Sequence, residues 1–338
     1  MMLKELTMWP QKLQEGFALV DNFYKEYSGR VPTKIKKIVF VGMGGSGIAG
    51  RIIKTFLDRK EGISSFIIDS SEVSGAVDTE TLAIVISYSG NTWETLDVLS
   101  RLVTKFVPTI VLAHGGNAIE ISENKNIPFV ILPQSLSPRS ALGIFLGFLL
   151  GLFEKLGILE GKRKFDVFYK FSELYVPKFS EQHFFKDFLY AVNGYEMFHV
   201  WGVSGSSAAC AYRAATQFCE NSKIQAVFSS FPEANHNLIN GFAFFKQNPC
   251  VVLFYTDFLP VNMGKAIEAT CEILKEKGVV LYKPPIFGHT FEEQLINIVL
   301  WSDFASYYLG KVRGVDVDNV PMIENLKNRQ RLKGIKLG

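Results

Sequence analysis

Leu82-Ala83-Ile84-Val85-Ile86-Ser87-Tyr88-Ser89-Gly90-Asn91-Thr92-Trp93-Glu94-Thr95-Leu96 is an apolar, β-branched run that breaks into hydroxyls and then turns helical. It reads as a buried strand over 82–86 and a helix over 93–106. The loop between them sits at a helix N-terminus, where main-chain N–H groups lack partners and carry positive partial charge. Ser87, Ser89 and Thr92 add neutral donors there, and Gly90 lets the backbone come close to a ligand. Such a loop suits a phosphate held without a metal. The plainer reading is a Ser/Thr-rich turn with Thr92 as an ordinary N-cap.

The same order of events surrounds this loop. Lys36-Lys37-Ile38-Val39-Phe40-Val41 is a strand followed by Gly42-Met43-Gly44-Gly45-Ser46-Gly47, and a helix runs on to about Leu57. Strands over 65–68, 109–113 and 128–132 and a helix over 117–124 complete an α/β alternation, which argues for a mostly parallel sheet with right-handed crossovers. Ala141 to Leu156 reads as a buried helix. Its apolar run, Ala141 to Phe153, falls short of the ~20 residues a bilayer span needs. A charged linker, Glu160 to Lys164, leads into helical 165–193. The pattern then restarts: strand 197–201, turn Gly202-Val203-Ser204-Gly205-Ser206-Ser207 opening a helix, strands 224–228 and 250–255, helix 262–276, strand 279–282 and helix 290–310. Two tandem three-layer α/β/α units are expected, each a mostly parallel sheet flanked by helices. The divisions read as a helical lead-in (1–34), a first domain (35–158), a second domain (165–312) and a tail (313–338) with a short helix from Met322 to about Arg331.

A chain of 338 residues accommodates two such domains. Lys+Arg (36) and Asp+Glu (33) nearly balance with no basic block, which argues against a nucleic-acid partner. Cys210, Cys219, Cys250 and Cys271 form no Cys-x-x-Cys pair and read as reduced thiols of a cytoplasmic protein. Lys4, Glu5, Lys12 and Glu15 interrupt any signal-peptide core, so a soluble chain with no membrane partner is expected.

Gly42-x-Gly44-x-x-Gly47 also matches the dinucleotide fingerprint, with Asp69 as the acidic residue for a ribose, so a nicotinamide-dependent dehydrogenase is an alternative. Against it, the Gly45-Ser46 turn and the Ser87–Thr92 loop both end strands of one parallel sheet and face one crevice. Two hydroxyl-bearing helix starts converging there fit one phosphate better than a pyrophosphate. A phosphorylated small molecule is the favoured ligand.

These two loops resemble the sugar isomerase (SIS) domain, which binds phosphosugars. Ser137-Pro138-Arg139-Ser140-Ala141-Leu142-Gly143, Gln217-Phe218-Cys219-Glu220-Asn221-Ser222-Lys223, Pro232-Glu233-Ala234-Asn235-His236-Asn237 and Pro321-Met322-Ile323-Glu324-Asn325-Leu326-Lys327 extend the likeness to the bifunctional phosphoglucose/phosphomannose isomerase family. The matches run in the family's order from about residue 36 to 330.

The resemblance implies glucose-6-phosphate/fructose-6-phosphate isomerisation by ring opening and an enediolate, with no metal or cofactor, and it leaves mannose-6-phosphate open. Glu220 corresponds to the base that moves a proton between C1 and C2; unaided, it reads as a helix-terminal Glu beside Lys223. His236 corresponds to the ring-opening histidine that reaches into the neighbouring subunit's site, implying a homodimer; Glu233 stands ready to orient it or to cap a turn. Arg139, a cation at a helix start, corresponds to the group that stabilises the enediolate. Lys327 corresponds to a lysine assisting ring opening, in a flank that otherwise reads as a solvated basic face. Gly45, Ser46, Ser87, Ser89 and Thr92 form the phosphate cradle. Family members acting on mannose phosphate carry a threonine shortly before the lysine, where Val320 stands here. The second turn is followed by Tyr255-Thr256-Asp257, whose acid repels phosphate, so one phosphate site per chain is expected. A non-catalytic phosphosugar-binding regulator is the alternative of a different class.

Overall fold

The computed structural model describes residues 1–135, 137–244 and 249–335. The chain forms an N-terminal unit, Met8–Tyr169 with Val320–Gly338, and a C-terminal unit, Met1–Thr7 with Lys170–Asn319. The lead-in is thus divided: α1 (Met2–Thr7) belongs to the C-terminal unit, where the Met2 amide donates to Asp318 at 2.7 Å, and α2 (Trp9–Tyr27) to the N-terminal unit.

The N-terminal unit continues through β1 (Lys37–Val41), α3 (Gly44–Leu57), β2 (Ser64–Ile68), β3 (Thr81–Ile86), α4 (Trp93–Thr104), β4 (Thr109–Ala113), α5 (Asn117–Lys125) and β5 (Phe129–Ile131). All five strands are parallel, in the order β2-β1-β3-β4-β5. Every residue of β3 is buried, as a strand covered on both faces requires. The chain moves outward from β1 in one direction to β2 and in the other from β3 to β5. The carboxyl ends of β1 and β3 therefore flank the switch point, where open α/β sheets bind ligands.

The apolar segment after the sheet is α6 (Leu142–Lys155), which packs against α2. A Cβ on Gly147 would lie 2.0 Å from the Leu13 carbonyl oxygen, and one on Gly16 would lie 2.0 Å from that of Ile144. With no side chain at these contacts, the two main chains approach closely, which explains why so apolar a helix is a core element.

α7 (Gly161–Phe179) begins where a linker was expected. Its charges are not spacer: Arg163 pairs with Glu160 and Lys162 with Asp166, at three- and four-residue helical spacing. The helical stretch expected to reach 193 breaks after Pro177 into a 3-10 turn and α8 (Lys186–Ala191). β6 (Met197–Val203), α9 (Ala208–Ser222), β7 (Gln225–Phe231), β8 (Cys250–Leu253), α10 (Val261–Glu276), β9 (Val280–Tyr282) and α11 (Phe291–Val312) follow, with the parallel sheet ordered β7-β6-β8-β9. β6 and β7 run on past Trp201 and Phe228 because their pairing continues through Gly202–Ser230 to Val203–Phe231, whose side chains are buried. α12 (Pro321–Leu332) belongs to the N-terminal unit. Among the described residues no helix is long and apolar enough to cross a membrane.

α11 carries the C-terminal unit's most buried charge. Asp303 accepts from Arg213 Nε at 2.8 Å and Nη2 at 2.7 Å, with both side chains 1% exposed. Removing one partner strands a charge in the interior, so Asp303→Ala is expected to lower stability by ~3–5 kcal/mol in denaturant titration. A loss below about 1 kcal/mol would mean that water reaches the guanidinium.

Candidate active site

α3 starts directly from β1 through the glycine turn, and α4 starts from β3 through the hydroxyl loop. Neither helix start has a side-chain cap. Thr92 occupies the N-cap position of α4, yet its hydroxyl makes no capping bond and lies 3.4 Å from Ser87 Oγ. The ordinary-cap reading of Thr92 is thereby corrected: its oxygen is aimed at a neighbouring hydroxyl, and the first N–H groups of the helix keep their donor capacity. Ser46 Oγ accepts from the Tyr88 amide at 3.2 Å, joining the two loops, while Ser89 stands exposed at the rim with its Oγ accepting from the Asn91 amide at 3.3 Å. Gly90, at φ +68°, is fixed by contact: a Cβ there would lie 1.7 Å from the Gly115 oxygen.

A third segment completes this end of the sheet. A Cβ on Gly45 would meet the Arg139 amide nitrogen at 2.9 Å, so the Pro138–Arg139 main chain lies directly on the glycine turn. Arg139 is 3% exposed, in a 3-10 turn held by reciprocal bonds between Ser137 and Ser140. Lys12, 2% exposed on α2, donates to Ser135 Oγ at 3.1 Å and to the Ser140 carbonyl at 2.7 Å. Tyr88 OH bonds the main chain of Ser135 and reaches the Pro133 oxygen at 3.3 Å. Sequence reasoning missed both residues as positioning groups. The signal was there for Lys12, a lysine on the same helical stripe as Trp9, Leu13, Gly16 and Val20, all buried.

α12 closes the arrangement. A cavity of about 380 Å³ is lined by Met43, Ser89 and Thr92 from the two loops and by Ile323, Lys327 and Arg331 from α12. Lys327 lines this cavity together with Ser89 and Thr92, and it does so from a helix whose residues, the half-buried Gln330 apart, are exposed. Val320 is the half-buried N-cap of α12. Asp69, the ribose candidate of the dinucleotide alternative, is paired with Arg51 of α3.

Glu220 and His236 lie in the C-terminal unit, at opposite ends of β7. Glu220, half-buried, is in the last turn of α9, where Lys223 Nζ donates to its carbonyl oxygen at 2.6 Å. His236, exposed, follows the other end of the strand, and its amide bonds the Glu233 carbonyl at 3.0 Å. The Glu233 carboxylate accepts from Asn237 Nδ2 at 2.7 Å, so it orients that asparagine. The seven residues of β7 span ~20 Å at 3.3 Å per residue. The second Gly/Ser turn is already satisfied internally: Ser204 with Ser230 (3.0 Å), Ser206 with Thr256 (2.9 Å), and Ser207 with the Phe254 carbonyl (2.8 Å). Asp257 beside it accepts from Gln294 Nε2 at 2.6 Å.

Tandem parallel sheets with hydroxyl loops at helix starts define the sugar isomerase class. A SIS domain matches residues 33–128, and a bacterial phospho-glucose isomerase C-terminal SIS domain matches residues 186–329. The fold is shared with the solved tagatose-6-phosphate ketose/aldose isomerase from Escherichia coli, at a TM-score of 0.71 over 95% of both chains and 15% identity. The bifunctional phosphoglucose/phosphomannose isomerase of Thermoplasma volcanium is 31% identical over 87% of this chain and 91% of its own, and that of Caldicellulosiruptor bescii is 29% identical over 97% and 98%. This chain belongs to the bifunctional phosphoglucose/phosphomannose isomerase family.

The contact at Gly45 yields a direct test. Gly45→Ala forces the Arg139 main chain off the turn, and overpacking of this kind costs ~1–3 kcal/mol. Inorganic phosphate is expected to raise the melting temperature of the parent protein, and the variant is expected to fold with a lowered melting temperature and without that rise. An unchanged phosphate-induced shift would show that the close approach does not shape the cradle.

Proposed function

We infer that this protein interconverts glucose-6-phosphate, fructose-6-phosphate and mannose-6-phosphate as an aldose–ketose isomerase of the cytoplasm, acting as a homodimer. The observation that carries the reading is the meeting of two uncapped helix starts, tied by the Tyr88–Ser46 and Ser87–Thr92 bonds, with Lys327 lining a cavity beside Met43, Ser89 and Thr92 at that end of the sheet. This is what a dianionic phosphate with an adjoining sugar ring requires. Family membership supports the substrate class, and four free cysteines fit a reducing compartment.

In this scheme the phosphate rests on Gly45, Ser46, Ser87, Ser89 and Thr92. His236 and Lys327 exchange the protons that open the ring at its oxygen and O1. Glu220 takes the proton from C2 of the aldose, and the electron pair moves to form the C1–C2 double bond of the enediolate. The same carboxyl then returns the proton to C1 while the O2 hydroxyl proton passes to O1 and C2–O becomes the carbonyl, giving the ketose. The Arg139 guanidinium keeps its charge at any working pH and offsets the negative charge developing on the enediolate oxygens. For the mannose epimer, C2 must be reprotonated on its other face after rotation about C2–C3. Val320 is about the size of the threonine that family members acting on mannose phosphate carry near this position, but it lacks that residue's hydroxyl.

The separation of Glu220 and His236 along β7 supports a site assembled from two chains. One chain then offers its glutamate to its own site and its histidine to its neighbour's.

Two expectations follow from these roles. Glu220→Gln is expected to lower turnover of fructose-6-phosphate by ~10²–10⁴-fold while the folded protein still binds substrate; undiminished turnover would remove Glu220 as the base. Co-refolding Glu220→Gln with His236→Ala, each nearly inactive alone, is expected to recover roughly a quarter of parental activity, since half of randomly mixed dimers hold one intact site. A mixture as inactive as its parents would place both residues in one chain's site.

A further inference from the structure

We propose that Arg331 is a second cation for the substrate's phosphate, supplied by the last helix of the chain. The argument begins with the register of α12. Ile323, Leu326, Lys327, Gln330 and Arg331 all line the cavity that holds Ser89 and Thr92. Their spacing, i, i+3, i+4, i+7, i+8, defines one helical stripe. Two apolar residues come first and two cations a turn apart lie on the same side, whereas Arg329, bonded to Asn325, is not part of this lining.

The charge around the cavity gives Arg331 its purpose. Glu94, in the first turn of α4, brings a carboxylate to the same wall. Against it stands Lys327, whose charge Glu94 offsets. Arg331 is the remaining cation, and it makes no ion pair with any described residue. A cavity of balanced charge would hold a phosphate dianion by hydroxyls and amides alone. With Arg331 the balance turns positive.

A guanidinium suits this task because its planar fork matches two phosphate oxygens and its charge does not titrate. It lines the same cavity as the exposed Ser89, whereas Ser46 and Ser87 are buried and lie outside that lining. The assignment rests on reading that loop as the phosphate seat. It adds to that reading a group divided from the other phosphate ligands by more than two hundred residues of sequence.

The phosphate does not change during isomerisation, so a ligand to it binds ground state and transition state alike and acts on KM. Arg331 is exposed and screened by solvent, which keeps its effect moderate. Arg331→Ala is expected to raise KM for fructose-6-phosphate and the inhibition constant of inorganic phosphate together, by about five- to tenfold, with a smaller change in kcat. Arg331→Lys recovers part of both, and Arg329→Ala, on the same helix but outside the cavity lining, leaves both at parental values. KM and the phosphate inhibition constant unchanged in Arg331→Ala, or a loss confined to kcat, would overturn the proposal. Thermal stabilisation by inorganic phosphate reads the same contact without turnover. A parent protein inactive on fructose-6-phosphate whose phosphate shift still depends on Arg331 supports the proposal and removes the isomerase reading. A shift indifferent to Arg331 removes the proposal and leaves the isomerase reading standing.

Discussion

The Pro138–Arg139 main chain lies against Gly45 at a distance no side chain tolerates. Most of the N-terminal unit's chemistry depends on that contact. It brings the segment carrying a buried guanidinium onto the start of α3. The hydrogen bond from the Tyr88 amide to Ser46 ties the same turn to the start of α4. Three stretches far apart in sequence are locked by one glycine and one serine, and Lys12 and Tyr88 hold the outer side of the assembly. A rigid cradle of this kind offers donors already aimed, so little reorganisation is needed when charge arrives.

The two sheets show how one local plan reaches opposite ends. In the N-terminal unit Ser46, Ser87, Ser89 and Thr92 make hydroxyl contacts of 3.2–3.4 Å, and neither helix is capped. In the C-terminal unit the corresponding serines form hydrogen bonds of 2.8–3.0 Å with Ser230, Thr256 and the Phe254 carbonyl. A donor satisfied at home has little to offer a ligand. In the second unit the polar side chains Glu220 and His236 lie instead at the two ends of β7.

Much of this architecture could be read before any coordinates. The run from Leu82 to Leu96 revealed the strand, the loop and the helix, because period, hydroxyls and glycine all agree there. The features that escaped were those in which tertiary context outweighs local chemistry. Glu160 to Lys164 has linker composition, yet its charges pair along a helix. The strand was expected over 224–228, but burial of Phe231 pulls it onward. At the site, the two loops that come together at the carboxyl ends of β1 and β3 were legible because glycine and hydroxyls cluster at helix starts. Lys12 was legible only in part: its place on an apolar stripe signals burial, but nothing in one sequence says that it is tied to a loop more than a hundred residues away.

The chain's two ends are exchanged between the units, with α1 in the C-terminal unit and α12 in the N-terminal one. The wall bearing Lys327 is therefore built from the segment translated after every other described element. A nascent chain can complete its first sheet, and even its second, while the first unit's pocket stays open on one side. A prematurely terminated product lacking α12 would therefore leave the cavity beside Ser89 and Thr92 without one of its walls.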